Sequence, residues 1–356
     1  MRILIAGGGT GGHVIPALAI ARELRDAHGA EVRFVGTARG LETRLVPEAG
    51  FGLELVRSGQ LKNVSLKTRL RTAVDLPLGV VECVRLIREF QPHVVVGVGG
   101  YASGPGMLAA ILKRVPTLAF EPNAVPGMTN RWLGRWVSAA AVNFAQTVRY
   151  FRLAKVTGIP VRAEFFAIRP KTAGGLRLLV FGGSQGARVL NEAMPKIAGR
   201  LLERFPELEI VHQAGGRHLE TTAAAFEAAG LVGERVRVRA YLDDMPAEFA
   251  AADLMLCRSG ASTVAELAAA GRASLLVPFA AAADDHQRRN AEAMVEAGAA
   301  RMLTEAEFTA ERLMEELVGM LRDHDGLRTM GERAREMARP EAVKEIAGMV
   351  VGLALL

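Results

Sequence analysis

Gly7, Gly9 and Gly12 satisfy the spacing G-x-G-x-x-G, and His13 follows directly. A glycine loop that opens a helix holds an anion through its backbone N–H groups and the positive end of the helix dipole. An imidazole beside such a loop, with an unperturbed pKa of about 6.5, accepts a proton at neutral pH, so His13 is a candidate general base. Two plainer readings stand beside these: glycines that permit tight strand-to-helix packing, and a histidine bonded to the backbone of its own helix. A dinucleotide site also wants an acid at the end of the second strand, where this chain has Gly36, Thr37, Ala38 and Arg39. NAD is therefore disfavoured, and an NADP-dependent oxidoreductase rests on Arg39 alone.

A second glycine loop, GlyGlySerGlnGly at 182–186, again lies between an apolar run and a helical pattern. A third site runs from Arg258 to Gly271, where small residues lead into a helix carrying Ser262, Thr263 and Glu266 in its first turns. The N–H groups of such a helix start suit a diphosphate, and a carboxylate one turn in can accept two hydrogen bonds from a ribose diol. The same glutamate also reads as a partner for the helix dipole alone. Gln287 and Asn290 follow in a polar loop entering a helix, and amides, which donate and accept at once, suit sugar hydroxyls.

Metal chemistry is poorly supplied. Asp323, His324 and Asp325 precede Gly326 and read as a solvated C-terminal turn, while Asp243, Asp244, Asp284 and Asp285 read as helix N-terminal acids. Cys83 and Cys257 lie far apart in apolar contexts, which excludes a disulfide framework and a cysteine metal site. The expectation is that no metal or cofactor takes part, a departing diphosphate being stabilised by helix dipoles and loops.

These residues need elements to place them. Residues 2–6, 31–36 and 93–98 are short apolar runs, and 176–181, 209–212, 253–257 and 274–278 repeat the pattern with helical periodicity between. Strands alternating with helices predict parallel sheets covered on both faces, and the chain starts over near residue 175. The predicted fold class is α/β, with two doubly wound, Rossmann-like domains facing each other across a cleft. Residues 1–160 form the first, 161–340 the second, and a helix over 341–356 closes the second or packs back on the first. Pro16 is expected in the first turn of its helix, where a missing N–H costs nothing.

At 356 residues, with 50% hydrophobic and 23% charged side chains, the chain suits two packed cores and is neither disordered nor fibrous in composition. No apolar run approaches the roughly 18 residues of a membrane span, and Arg2–Ala6 reads as a strand and not as a signal peptide, so the chain is expected to stay inside the cell. Charge is unevenly shared: residues 1–163 carry +11 and the remainder −5. Five basic residues and no acid lie between Arg57 and Arg71, and six more lie between Glu121 and Glu164 with Trp132, Trp136, Tyr150 and Phe151 among them. Such a surface can meet nucleic acid, anionic lipid headgroups or a polyanionic substrate. A solvated face that is merely basic is the alternative.

Taken in order, GlyGlyThrGlyGlyHis (8–13), GlyValGlyGlyTyrAlaSerGlyPro (97–105), GluProAsnAlaValProGlyMetThrAsnArg (121–131), GlyGlySerGlnGlyAla (182–187) and the 258–290 region resemble the MurG family. Its members are UDP-N-acetylglucosamine transferases acting on the undecaprenyl-diphosphate-linked muramyl-pentapeptide of peptidoglycan synthesis. The likeness runs through nearly the whole chain and implies the GT-B architecture, with inverting transfer to the muramyl 4-hydroxyl, lipid I to lipid II. It also implies donor contacts from Thr10, Gly11, Gly12, Asn123, Arg162, Ser184, Leu242, Ala261, Ser262, Thr263, Val264, Ala265, Glu266 and Gln287, which the reading above extends to Asn290. In that picture Glu266 holds the ribose, Ser184 and the helix N-termini hold the diphosphate, and Leu242 lies by the uracil. Acceptor-side and catalytic roles are implied for His13, Tyr101, Glu121 and Asn123. The sequence departs from the family at Phe120 and Pro122, where His and Gln commonly flank the glutamate, and its 280–285 loop is plainer than expected.

The partners implied are UDP-N-acetylglucosamine, the lipid-linked muramyl-pentapeptide, an anionic membrane surface met peripherally at the cytoplasmic face of the plasma (inner) membrane, and other cell-wall or division proteins. Nucleic acid is not expected. Leu66–Val81, basic and then apolar, would give the membrane an edge to meet, an ordinary buried helix being the alternative. The nearest rival activity is another GT-B enzyme, a glycolipid glycosyltransferase or a UDP-sugar 2-epimerase.

Overall fold

In the computed structural model, residues 1–59, 66–100, 102–171, 174–231 and 233–356 are described, residues 66–73 and 283 by their backbone alone. The chain divides into two compact units, Met1–Pro160 with Arg339–Leu356, and Val161–Ala338.

Ile3, Leu4, Ile5 and Ala6 are all fully buried, as a strand covered on both faces requires, and they form β1 (Arg2–Gly7) in the middle of the first unit's sheet. The others are β2 (Glu31–Gly36), β3 (Gly52–Leu55), β4 (Val94–Gly99), β5 (Thr117–Glu121), β6 (Ala139–Val142) and β7 (Ala154–Val156). They lie parallel in the order β3-β2-β1-β4-β5-β6-β7. The helices between them are α1 (Gly11–His28), α2 (Glu42–Glu48), α3 (Leu66–Phe90), α4 (Ser103–Leu112) and α5 (Met128–Leu133). Because α1 starts at Gly11, Pro16 stands inside it and not in its first turn. Its ring leaves the Gly12 carbonyl without the usual i+4 donor, close to the glycine loop.

The second unit repeats the plan with β8 (Arg177–Phe181), β9 (Glu209–Gln213), β10 (Val236–Arg239), β11 (Leu254–Cys257), β12 (Ala273–Leu276) and β13 (Arg301–Met302), in the order β10-β9-β8-β11-β12-β13. Its helices are α6 (Ala163–Phe166), α7 (Arg188–Arg204), α8 (Leu219–Ala228), α9 (Met245–Ala251), α10 (Ala261–Ala270), α11 (His286–Glu296), α12 (Ala310–Arg322) and α13 (His324–Glu336). The last helix, α14 (Ala342–Ala354), belongs to the first unit and packs on α1.

Asp323 is exposed at the C-terminal end of α12, and it also starts α13, its carboxylate accepting from the Gly326 N–H (2.8 Å). Asp244 caps α9 in the same way, from Ala247 (3.1 Å).

Along α3, Val74, Leu78 and Val81 recur at helical spacing and are exposed by 61%, 39% and 60%, so one face of this stretch is open while Gly79 is buried and Val80 packs against the core. Trp132 and Trp136 are each about two-thirds exposed, while Phe151 joins the core. Among the described residues no helix is long and apolar enough to cross a membrane.

Candidate active site

Both sheets reverse their strand order beside their first strand, between β1 and β4 and between β8 and β11. Open α/β sheets take their ligands in the loops at that point.

In the first unit the two loops there interlock. Gly8 donates its N–H to the Gly99 carbonyl (3.2 Å), and a Cβ on Gly100, which has φ +79°, would strike the Gly8 carbonyl. The imidazole of His13, partly buried, lies against Gly99, where an added Cβ would come within 2.7 Å of its Cε1. Thr10, Gly11 and Gly12 head α1 beside it, Thr10 and Gly12 exposed. Glu42, 1% exposed, reaches the loop from the start of α2. Its Oε2 accepts from the Gly9 N–H (2.6 Å), and its Oε1 from the N–H (3.0 Å) and hydroxyl (3.1 Å) of Thr37. A carboxylate thus stands at the loop where a dinucleotide would place its pyrophosphate, which counts against NADP.

Two strands along, Glu121 ends β5 and is 2% exposed. Its Oε1 accepts from the backbone N–H (3.0 Å) and side-chain amide (3.1 Å) of Asn123, and its Oε2 from the Gly127 N–H (3.0 Å) and the Asn130 amide (2.9 Å). Burial pushes the Glu121 pKa up, and these four donors pull against that shift. The Glu121 oxygens are thus engaged inside the protein, where they shape the 121–130 loop. Asn123 likewise commits its amide N–H to Glu121. Phe120 is fully buried, and Pro122 is buried too. Tyr101 lies outside the described residues.

In the second unit Gly183 and Gly186 close a tight turn by an N–H···O bond of 3.0 Å, which leaves Ser184 exposed at its tip. The turn nests against the loop after β9, since a Cβ on Gly186 would strike the Ala214 carbonyl. Gln213 ties this edge together: its amide N–H donates to the Gly183 carbonyl (2.9 Å), and its oxygen accepts from the Leu242 N–H (2.9 Å).

Across the switch point, Ala261, Ser262 and Thr263 start α10, partly buried. Glu266 sits one turn in, and burial raises its pKa to about 7, opposed by the Arg162 guanidinium. Arg162 is exposed and lies over the Phe165 ring (5.1 Å). Ala265 is partly buried beside Glu266, whereas Val264 turns its side chain into the core and gives its N–H to the Gly260 carbonyl (3.0 Å).

Gln287 uses its oxygen to accept from the Phe279 N–H (3.0 Å), holding the 279–285 loop. Asn290 is fully buried and donates to the Ser259 carbonyl (3.2 Å). Leu242 is also buried, so its fixed backbone, and less its side chain, meets the loop edge. Among the described residues no three His, Cys, Asp or Glu side chains group as metal ligands.

Sequence reasoning missed Glu42 and Gln213. Each binds backbone 29 to 33 residues away, which no local pattern announces. The only cue for Gln213 is a polar residue ending an apolar strand.

The N-terminal domain of glycosyltransferase family 28 matches residues 3–142, and its C-terminal domain residues 177–346. The chain is similar to the UDP-N-acetylglucosamine--N-acetylmuramyl-(pentapeptide) pyrophosphoryl-undecaprenol N-acetylglucosamine transferase of Solibacter usitatus, at 47% identity over 98% of this chain and 94% of that one. It is 45% identical to the same-named protein of Anaeromyxobacter dehalogenans, over 99% and 93%. Among solved structures, MurG of Acinetobacter baumannii matches with a TM-score of 0.82 at 30% identity, covering 99% of each chain.

Proposed function

The chain belongs to the MurG family of glycosyltransferase family 28, and from that premise we propose that it transfers N-acetylglucosamine from UDP-N-acetylglucosamine to the 4-hydroxyl of undecaprenyl-diphosphate-linked N-acetylmuramyl-pentapeptide. The observation that carries this reading is the switch-point edge of the second sheet, where the Ser184 turn follows β8 and the α10 start with Glu266 follows β11. A nucleoside diphosphate asks for that combination: N–H groups and a hydroxyl for the phosphates, and a carboxylate for the ribose diol.

In this reading UDP is held by the second unit, its diphosphate at the Ser184 turn and the α10 N-terminus, its ribose on Glu266. The acceptor hydroxyl attacks the anomeric carbon from the face opposite UDP, and His13 takes its proton. One bond to the anomeric carbon forms as one breaks, so the α-linked donor gives a β-linked disaccharide. Charge building on the departing UDP is met by the helix dipoles, Ser184 and Arg162, with no resident metal required. The apolar stripe Val74, Leu78 and Val81 and the exposed Trp132 and Trp136, in the basic part of the chain, support peripheral contact with an anionic bilayer on its cytoplasmic side.

The test is UDP release with and without the lipid-linked acceptor. A transferase releases UDP in proportion to acceptor consumed and leaves UDP-N-acetylglucosamine intact without it, chelator or no chelator. Turnover of the donor alone into a 2-epimer would replace this reading with that of an epimerase.

A further inference from the structure

The first glycine loop carries an anion of its own. Cβ atoms added to Gly8, Gly36 or Gly40 would all run into the Glu42 side chain, so three glycines from three segments clear the space it fills. Its carboxylate takes the Gly9 N–H and both donors of Thr37, while Leu41 returns an N–H to the Gly9 carbonyl (3.0 Å). Both polar groups of the Gly9 backbone are therefore held by the 37–42 segment, two residues before α1 begins and four before His13. A negative charge ahead of a helix N-terminus is where the dipole favours one, and a charged hydrogen bond is roughly twice as strong as a neutral one.

We infer that Glu42 is a positioning residue for the transfer reaction: its carboxylate takes the Gly9 N–H of the first glycine loop, so that this N–H fixes the loop that orients His13 and does not itself receive a phosphate. This rests on the proposed transferase reading with His13 as base. The diphosphate of the acceptor is then bound elsewhere than on the Gly9 N–H, because a second anion there would meet a buried carboxylate of like charge.

Glu42→Ala removes a CH₂–COO⁻ group from a walled cradle, which acetate can refill. Losing a charged hydrogen bond predicts a fall in kcat of about tenfold to a hundredfold, with the KM for acceptor and the Kd for UDP changed less than about twofold. Sodium acetate should restore much of the lost turnover, while sodium chloride at equal ionic strength should not. Glu42→Gln, which turns an amide N–H₂ toward donors, should be impaired and insensitive to acetate. Independently of activity, the Gly9 amide NMR signal of the wild-type chain should stay in place when inorganic pyrophosphate is added.

Unimpaired variants, a loss that acetate does not reverse, or a saturable pyrophosphate shift at Gly9 would each overturn the inference. Wild-type enzyme that fails to transfer at all would instead count against the function on which it rests.

Discussion

Glu266 allows a test in which binding and stability move in opposite directions. Its carboxyl is raised from 4.5 to about 7 by burial in the ligand-free chain. A ribose diol donating two hydrogen bonds selects the ionised form. About nine molecules in ten are ionised at pH 8 and about one in ten at pH 6, so UDP affinity should fall roughly tenfold, about 1.4 kcal/mol, across that range. The diphosphate titrates there too, and Glu266→Gln, measured in parallel by calorimetry, subtracts its share. At pH 8 the variant should bind UDP about 1.5 to 3 kcal/mol more weakly, the worth of a charged hydrogen bond, and the gap should narrow as pH falls to 6.

The stability sign is the reverse. A carboxyl whose folded pKa is raised favours folding while protonated, so the ligand-free chain loses stability as pH rises from about 4.5 through 7, by about 3 kcal/mol at most. Glu266→Gln removes that loss and should unfold later than wild type at pH 8 without UDP. A pH-independent gap in UDP affinity, or a variant equal to wild type in binding at pH 8, would refute the ribose role.

His13→Ala should abolish most turnover while UDP affinity stays within about twofold, since the nucleotide loops are in the other unit; unchanged turnover would remove His13 as base. Glu121→Gln sets an amide nitrogen against the N–H donors now served by the carboxylate, and should cost about 2 to 3 kcal/mol in urea unfolding with UDP affinity unchanged; an unchanged midpoint would deny the loop-shaping role. His212 is fully buried, shares a 2.8 Å hydrogen bond with Asn191, and burial lowers its pKa to about 4. The folded chain therefore excludes the protonated ring, and stability should drop by about 2 kcal/mol between pH 7 and 5, a drop absent in His212→Asn.

The strands that the sequence makes legible are those buried on both faces. Arg2–Gly7, Val94–Gly99, Arg177–Phe181 and Leu254–Cys257 are near-continuous apolar runs because helices cover them above and below. β6 is three alanines and a valine, a composition that does not separate it from a helix, and β10 reads ValArgValArg, which alternates as a strand does but over only four residues. The glycine loops were legible for the same local reason, as was the placing of His13, Ser184 and Glu266 around them. The protein partners of Glu121 and Asn290 were not legible, because a polar residue in a motif looks the same whether it faces a ligand or a buried group of the protein. Glu42 and Gln213 escaped because their partners arrive only when distant segments meet.

The central claim is a single displacement from a UDP-sugar to a lipid-linked muramyl hydroxyl. The most direct measurement follows labelled N-acetylglucosamine from UDP-N-acetylglucosamine into the undecaprenyl-linked muramyl-pentapeptide, with the anomeric configuration of the product read by NMR. The account predicts one label per acceptor in a β linkage to the 4-hydroxyl; an α linkage, or label that never reaches the lipid, would contradict it.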